Sequence, residues 1–446
     1  MNCKVKNRAV PSTTRVLVVA LLFAVTPLPQ AASALCGDPD GDGYIRASDA
    51  LVTLKAAVLT GIYDPLIDVD GGTGIDGQIL AADALVVLRS AVFDTVPDCA
   101  AATENSVVVT TASCDFATGG AALVDESSIS LASHTTGVVS ADSVVRLAAG
   151  RLFVLNRYGA DNLQELKTDD PGVTLGQCSL GNGSNPHDIV IVSETLGYVS
   201  RYDSSELSII DPSALDDCVG FEKGVIDLSA FADDDGFPET DQMALVGDTL
   251  LVALQRLDRS NFFQPAVNGL LLSIDTSTNT VSSSLELSIK NPFVETKGLI
   301  YNKDSGLLYV GGPGKLFDDL EDGGIEVIDP ATMTSQGVVI SGAQLGGDLT
   351  DFVVVGSSRI YALVAADGFS VSLVEADLAT GSVTDVLATS DLLMSDIELT
   401  QDGRLWLADR NCLNPGLRVF TIGDNRELTD QPLYPGLTPF TLTFLP

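Results

Sequence analysis

Leu308-Tyr309-Val310, followed after a turn-rich stretch by Val327-Ile328-Asp329-Pro330-Ala331-Thr332, sets the grammar of the C-terminal 340 residues. Two short apolar strands are separated by Gly, Pro and Asp, and the second ends in an acid and a turn. The same order returns at Tyr198-Val199 with Leu207 to Asp211-Pro212, at Ile360-Tyr361 with Val371 to Asp377, and at Leu405-Trp406-Leu407 with Leu417 to Gly423. A further apolar strand stands in front of each unit, often opened by an acid, as in Asp188-Ile189, Asp351-Phe352 and Asp396-Ile397. These leading strands begin near Val144, Ile189, Met243, Leu299, Phe352, Ile397 and Phe440, at intervals of 45, 54, 56, 53, 45 and 43 residues. Several strands per unit at that period predict a β-propeller. Seven units predict seven blades across residues 105–446. Nothing follows the strand Phe440–Leu445, so residues 105–135 are expected to supply the outer strands of its blade and leave no open edge.

The Tyr-Val strand followed by Ile-Asp-Pro-x-Thr resembles the YVTN family of propellers over residues 140–446. That family resemblance implies the fold. It does not choose a function, because related propellers include surface binding modules, lactonase-like enzymes and quinone-dependent dehydrogenases.

Outward from the propeller, the amino terminus changes character. Residues 1–34 hold Lys4, Lys6, Arg8 and Arg15 and no acid. An apolar core, Val16–Val25, precedes the small-residue site Ala32-Ser33-Ala34, which reads as a secretory signal peptide. The expected location is therefore extracellular or at the cell surface. Its removal would take the formal charge from −36 to −40. So acidic a chain repels nucleic-acid phosphates and suits cation binding. No run of about 18 apolar residues predicts a membrane span. Six cysteines remain beyond the signal, an even number that predicts disulfides in an exported protein. The expected pairs are Cys36–Cys99, Cys178–Cys218 and Cys114–Cys412, out of fifteen possible connectivities.

Between signal and propeller, residues 36–99 carry a calcium-loop pattern. Asp38, Asp40, Asp42 and Asp49 fall at positions 1, 3, 5 and 12 of an EF-hand-type loop, with the Tyr44 carbonyl at 7 and Gly43 at the sharp turn. Carboxylates so crowded repel one another unless a cation lies between them. A helix follows, with Leu51, Leu54 and Val58 predicted to form an apolar stripe. The set returns 34 residues later: Gly77, Ile79 and Asp83 match Gly43, Ile45 and Asp49, while Leu85, Leu88 and Val92 match the stripe. In this second copy Gly72 and Gly74 replace two ligands, and Asp68 and Asp70 look like a displaced loop start beside Asp76 and Asp83.

The paired loop–helix resembles a type I dockerin. It implies a small α-helical module that binds Ca2+ and docks into a cohesin-like receptor. By that resemblance the partner would be read by Ala47, Ser48 and Lys55 in one copy and by Ala81, Ala82 and Arg89 in the other. A module with so small a core is expected to need its ion and its disulfide to fold.

Catalytic signals are sparse. His134 lies in a Ser/Thr-rich outer segment, and His187, in Asn185-Pro186-His187-Asp188, is placed where a blade opens onto the central channel. No GxSxG elbow is present. Arg157, Arg201, Arg256 and Arg410 end the second strand of four blades in register. With His187 they form a candidate ligand-binding rim suited to a carboxylate or sugar acid. The competing reading pairs each guanidinium with an inter-blade acid such as Asp188 or Asp396. Long loops at 255–268, with Arg259, Phe262 and Phe263, and at 311–323, with Lys315, Asp318, Asp319, Glu321 and Asp322, are expected on the same face. The sequence therefore predicts an exported, calcium-binding anchoring protein whose propeller binds a polysaccharide or protein. The alternative is a tethered carbohydrate- or lactone-hydrolysing enzyme.

Overall fold

Two compact units divide the chain, Met1–Ala100 and Ala101–Pro446. The computed structural model describes residues 106–445 apart from 266, 295–296, 367–369 and 389–393, together with Ala50, Leu51, Thr53, Leu54, Ala84, Leu85, Val87 and Leu88 of the first unit. The expected signal peptide lies outside the described residues. So do the calcium ligands Asp38, Asp40, Asp42, Tyr44, Asp49, Asp68, Asp70, Asp76 and Asp83 and the receptor-reading positions Ala47, Ser48, Lys55, Ala81, Ala82 and Arg89. The Cys36–Cys99 pair lies there too.

All eight described residues of the first unit are helical, and they repeat at the 34-residue offset. Ala50 and Thr53 are buried, as are their counterparts Ala84 and Val87. Leu51, Leu54, Leu85 and Leu88, expected to form the apolar stripe, are instead 40–53% exposed. A helix turns about 100° per residue, so burying the small residue at one position swings the leucine after it outward.

The second unit is a ring of seven antiparallel sheets. Blade one runs Ser143–Ala148, Arg151–Asn156, Asn162–Lys167 and Asp170–Ser179 from the inside out. The other inner strands are Pro186–Ser193, Thr240–Val246, Leu299–Asn302, Asp348–Val355, Met394–Leu399 and Thr438–Leu445, each within a few residues of its predicted start. Neighbouring inner strands touch all the way round, so the ring is closed. Blade seven is composite: Thr438–Leu445 pairs with Ser106–Ala112, then Gly119–Asp125, then Ser130–Thr136. Cys114–Cys412 ties it to blade six, and Cys178–Cys218 ties blade one to blade two, the two pairs expected for the propeller.

Blade six has three named strands, ending at Gly416–Thr421. Its outer edge is not bare. Leu417 and Leu433 exchange backbone hydrogen bonds, and the Leu428 N–H donates to the Val419 carbonyl. An irregular segment thus covers the edge in place of a fourth strand, as an exposed edge requires. Pro432 next to that pairing removes a donor from the ladder and accounts for the irregularity.

The core is made of inter-blade layers. Tyr361, Phe420 and Leu405 pack blade five onto blade six, while Trp406 and Leu442 pack blade six onto blade seven. The acids that open inner strands fasten the layers. Asp188 accepts the Met243 N–H at 2.8 Å, Asp351 the Ile397 N–H at 2.9 Å and Asp396 the Leu442 N–H at 2.6 Å. At the seam between blades seven and one the Thr441 hydroxyl accepts the Val145 N–H at 3.0 Å.

Candidate functional site

One end of the ring is defined by the starts of the inner strands and by the loops that join second to third strands. The register places both there: Pro186 pairs with Arg201, Ser143 with Asn156, and Met394 with Asp409. Arg157, His187, Arg201, Arg256 and Arg410 all fall on this entrance face, as predicted.

The arginines are engaged, but not with Asp188 or Asp396. Arg157 pairs with Asp142 at 2.5 Å. Arg201 lies 3.4 Å from Glu206 and 3.8 Å from Glu222. Arg256 donates to the Asn268 carbonyl at 3.3 Å from a backbone with φ 59°. Arg410 lies between the rings of Phe116 and Phe440, 4.5 Å from each centroid. The partners differ from expectation because Asp188 and Asp396 are turned inward to hold the next inner strand. Asp188 also binds Arg146 at 2.8 Å, and Arg146 reaches Gln242 at 3.5 Å. Burial raises the Asp188 pKa, with Arg146 acting against it.

His187 is buried and held on two sides. Its Nδ1 lies 2.8 Å from Asp241, and its ring stacks on Tyr202 with centroids 4.5 Å apart. Gln255 donates to the second Asp241 oxygen at 2.7 Å. Beside this group Arg259 donates to Glu239 at 2.6 Å, to Asp203 at 2.8 Å and to the Tyr202 carbonyl at 3.1 Å, with Phe237 4.0 Å from its guanidinium carbon. Glu239 also accepts the Leu257 N–H at 2.9 Å. Burial pushes its pKa up to about 7 in spite of those two donors. Arg259 thus knits blades two and three with charge-assisted bonds. A second ion pair, Lys297 with Glu398, links blades four and six. His134 sits on the outermost strand of blade seven, with its ring against Gly436.

Asp241, Glu239 and Arg146 were not singled out from the sequence. Glu239 and Asp241 flank an inner-strand start and Arg146 lies within one, and only the assembled ring shows which neighbour each meets. Arg259 was legible through its long loop. Three cavities open on the entrance face. One of about 550 Å3 has Phe116, Asp142 and Tyr158 in its lining, one of about 490 Å3 has Asp233, Arg256 and Asp258, and an apolar one of about 250 Å3 has Phe317, Met394 and Arg410. Among the described residues no group of His, Cys, Asp and Glu is arranged to hold a metal ion. No described helix is long and apolar enough to cross a membrane.

Fold and site together define a seven-bladed, disulfide-braced β-propeller. No protein-family model and no curated protein matches the chain. Similar solved structures include a candidate 6-phosphogluconolactonase from Bacteroides fragilis, 13% identical, covering 78% of this chain and 100% of that one at a TM-score of 0.55. A protein from Lactobacillus plantarum is 13% identical over 77% of this chain and 99% of its own, with a TM-score of 0.54. A candidate 6-phosphogluconolactonase from Bacteroides uniformis is 9% identical over 77% and 100%, with a TM-score of 0.53. At such identities the likeness establishes the shared fold.

Proposed function

We propose that this is an exported anchoring protein: a Ca2+-binding, dockerin-type module docks into a cohesin-like receptor, and the propeller holds a polysaccharide or protein ligand on its entrance face without turning it over. One observation carries the binding reading. The ionisable groups of the entrance face are closed on one another, His187 on Asp241 and Arg259 on Glu239 and Asp203, which holds the rim preorganised for a ligand. The second reading, a carbohydrate- or lactone-hydrolysing enzyme, draws its support from the names of the Bacteroides structures that share the fold. The full chain tested on a glycan and protein array beside a panel of glycoside and lactone substrates separates the two. Retention without hydrolysis is expected. Hydrolysis abolished by His187→Ala or Glu239→Gln would establish the enzyme reading in its place.

A further inference from the structure

Among the described phenylalanines, four have a left-handed backbone: Phe116 (φ 55°), Phe262 (57°), Phe263 (57°) and Phe317 (58°). Glycine or asparagine takes that conformation with far less strain than a bulky aromatic. All four lie on loops joining the second strand of a blade to its third, in blades seven, three and four. All four are presented to solvent, at 51%, 90%, 47% and 41% exposure. The same loop carries Tyr158 in blade one, 78% exposed, and Leu413 in blade six, 96% exposed. Phe116 also packs on Arg410 and Phe440 and Phe263 on Arg259, but Phe262, at 90% exposure, buries little apolar surface, so folding does not account for placing it on a strained backbone. Strain of this kind gathers where a protein presents a group to a ligand.

We propose that the entrance face binds a neutral polysaccharide, with sugar rings stacked on Phe116, Tyr158 and the Phe262–Phe263 pair. The inference rests on the reading of the propeller as a binding module. Three properties select this ligand class. Carboxylates lie near the platforms, each already held by local partners: Asp115 in the Phe116 loop by Ser113, Asp142, which lines one cavity with Tyr158, by Arg157, and Asp258, four residues before Phe262, by Ser260. An aromatic face with flanking carboxylates matches a pyranose, which has an apolar C–H face and hydroxyl donors at its edge. The formal charge of −36 repels acidic polymers and leaves an uncharged one unopposed. The platforms are dealt out one blade at a time, with acids between them. A protein partner would be met by a continuous apolar centre with few charges, whereas a repeating chain is met by spaced platforms. The cavity of about 550 Å3 between Phe116 and Tyr158 is in the size range of sites that enclose small molecules.

The test is native electrophoresis of the full chain through gels containing xylan, galactomannan, mixed-linkage β-glucan or polygalacturonate. At least one neutral polymer should retard the protein and polygalacturonate should not. Tyr158→Ala and Phe262→Gly should each weaken that retardation about tenfold. Phe262→Gly should leave the melting temperature unchanged or higher, because glycine relieves the left-handed strain at an exposed site. Retardation only by polygalacturonate, or unaltered in both variants, overturns the inference. So does the absence of retardation by every polymer. In each of these cases the binding reading itself survives unless the full chain also turns over a substrate in the hydrolase panel.

Discussion

Glu239 is a carboxyl held well away from its ordinary behaviour. It has no exposed surface, and burial lifts its pKa from the usual 4.5 to about 7. The folded protein therefore keeps a proton there that the unfolded chain has already released. Stability contributed by that proton is complete below about pH 4.5 and is lost as the pH rises to about 7. Denaturant midpoints measured across that interval should fall with pH in the wild type, and the Glu239→Gln profile should be flatter. Equal slopes in the two proteins would show that the carboxyl stays ionised throughout. His187 illustrates the limit of reading one residue from sequence. Its place at the channel mouth was legible from its blade position. Its partner Asp241 lies 54 residues away, one blade further round, where no local pattern points.

At the scale of the element, the inner strand and the acid that opens it form one unit. Asp351 and Asp396 each cap a backbone N–H of the following blade, and that N–H is buried when the acid is removed. An unsatisfied buried donor costs about 1–3 kcal/mol. Asp396→Ala and Asp351→Ala should each lower the unfolding free energy by about that amount, measured by urea titration, with the denaturant slope unchanged. The strands themselves were plain in the sequence, because period-2 apolar runs closed by Asp-Pro or Gly are dictated by local chemistry. The acids were visible as punctuation, but their task was not, since the donor they serve is about 45 to 55 residues ahead. The leucine stripe of the first unit was misread for a related reason. Helical spacing says which residues share a face but not which face is covered, and there the small residues are inside.

At the scale of the whole molecule, closure was legible before any coordinates, from a seventh inner strand near Phe440 and apolar strands at 105–135 that could complete its blade. The Cys114–Cys412 bond reinforces that closure across a sequence separation of 298. Cys412→Ser should destabilise the ring by about 2–5 kcal/mol, read as a lowered melting temperature under non-reducing conditions. Calcium belongs to the same scale. Chelation is expected to unfold residues 36–99 and leave the propeller's near-ultraviolet signal in place, since the ring has its own core and bonds. Loss of both signals together would mean that the two units depend on each other. The entrance-face chemistry was the least legible part, because it arises from side chains of separate blades that meet only in the closed ring.

Each rim loop hangs from two strands of its own blade, whose pairing is fixed by that blade alone. A loop can therefore change length without altering strand register, while its cross-links, Arg259 to blade two and Cys114–Cys412 between blades seven and six, mark the neighbours it would disturb. The rim can thus be altered piecemeal, one petal at a time, on a frame whose register never has to be rebuilt.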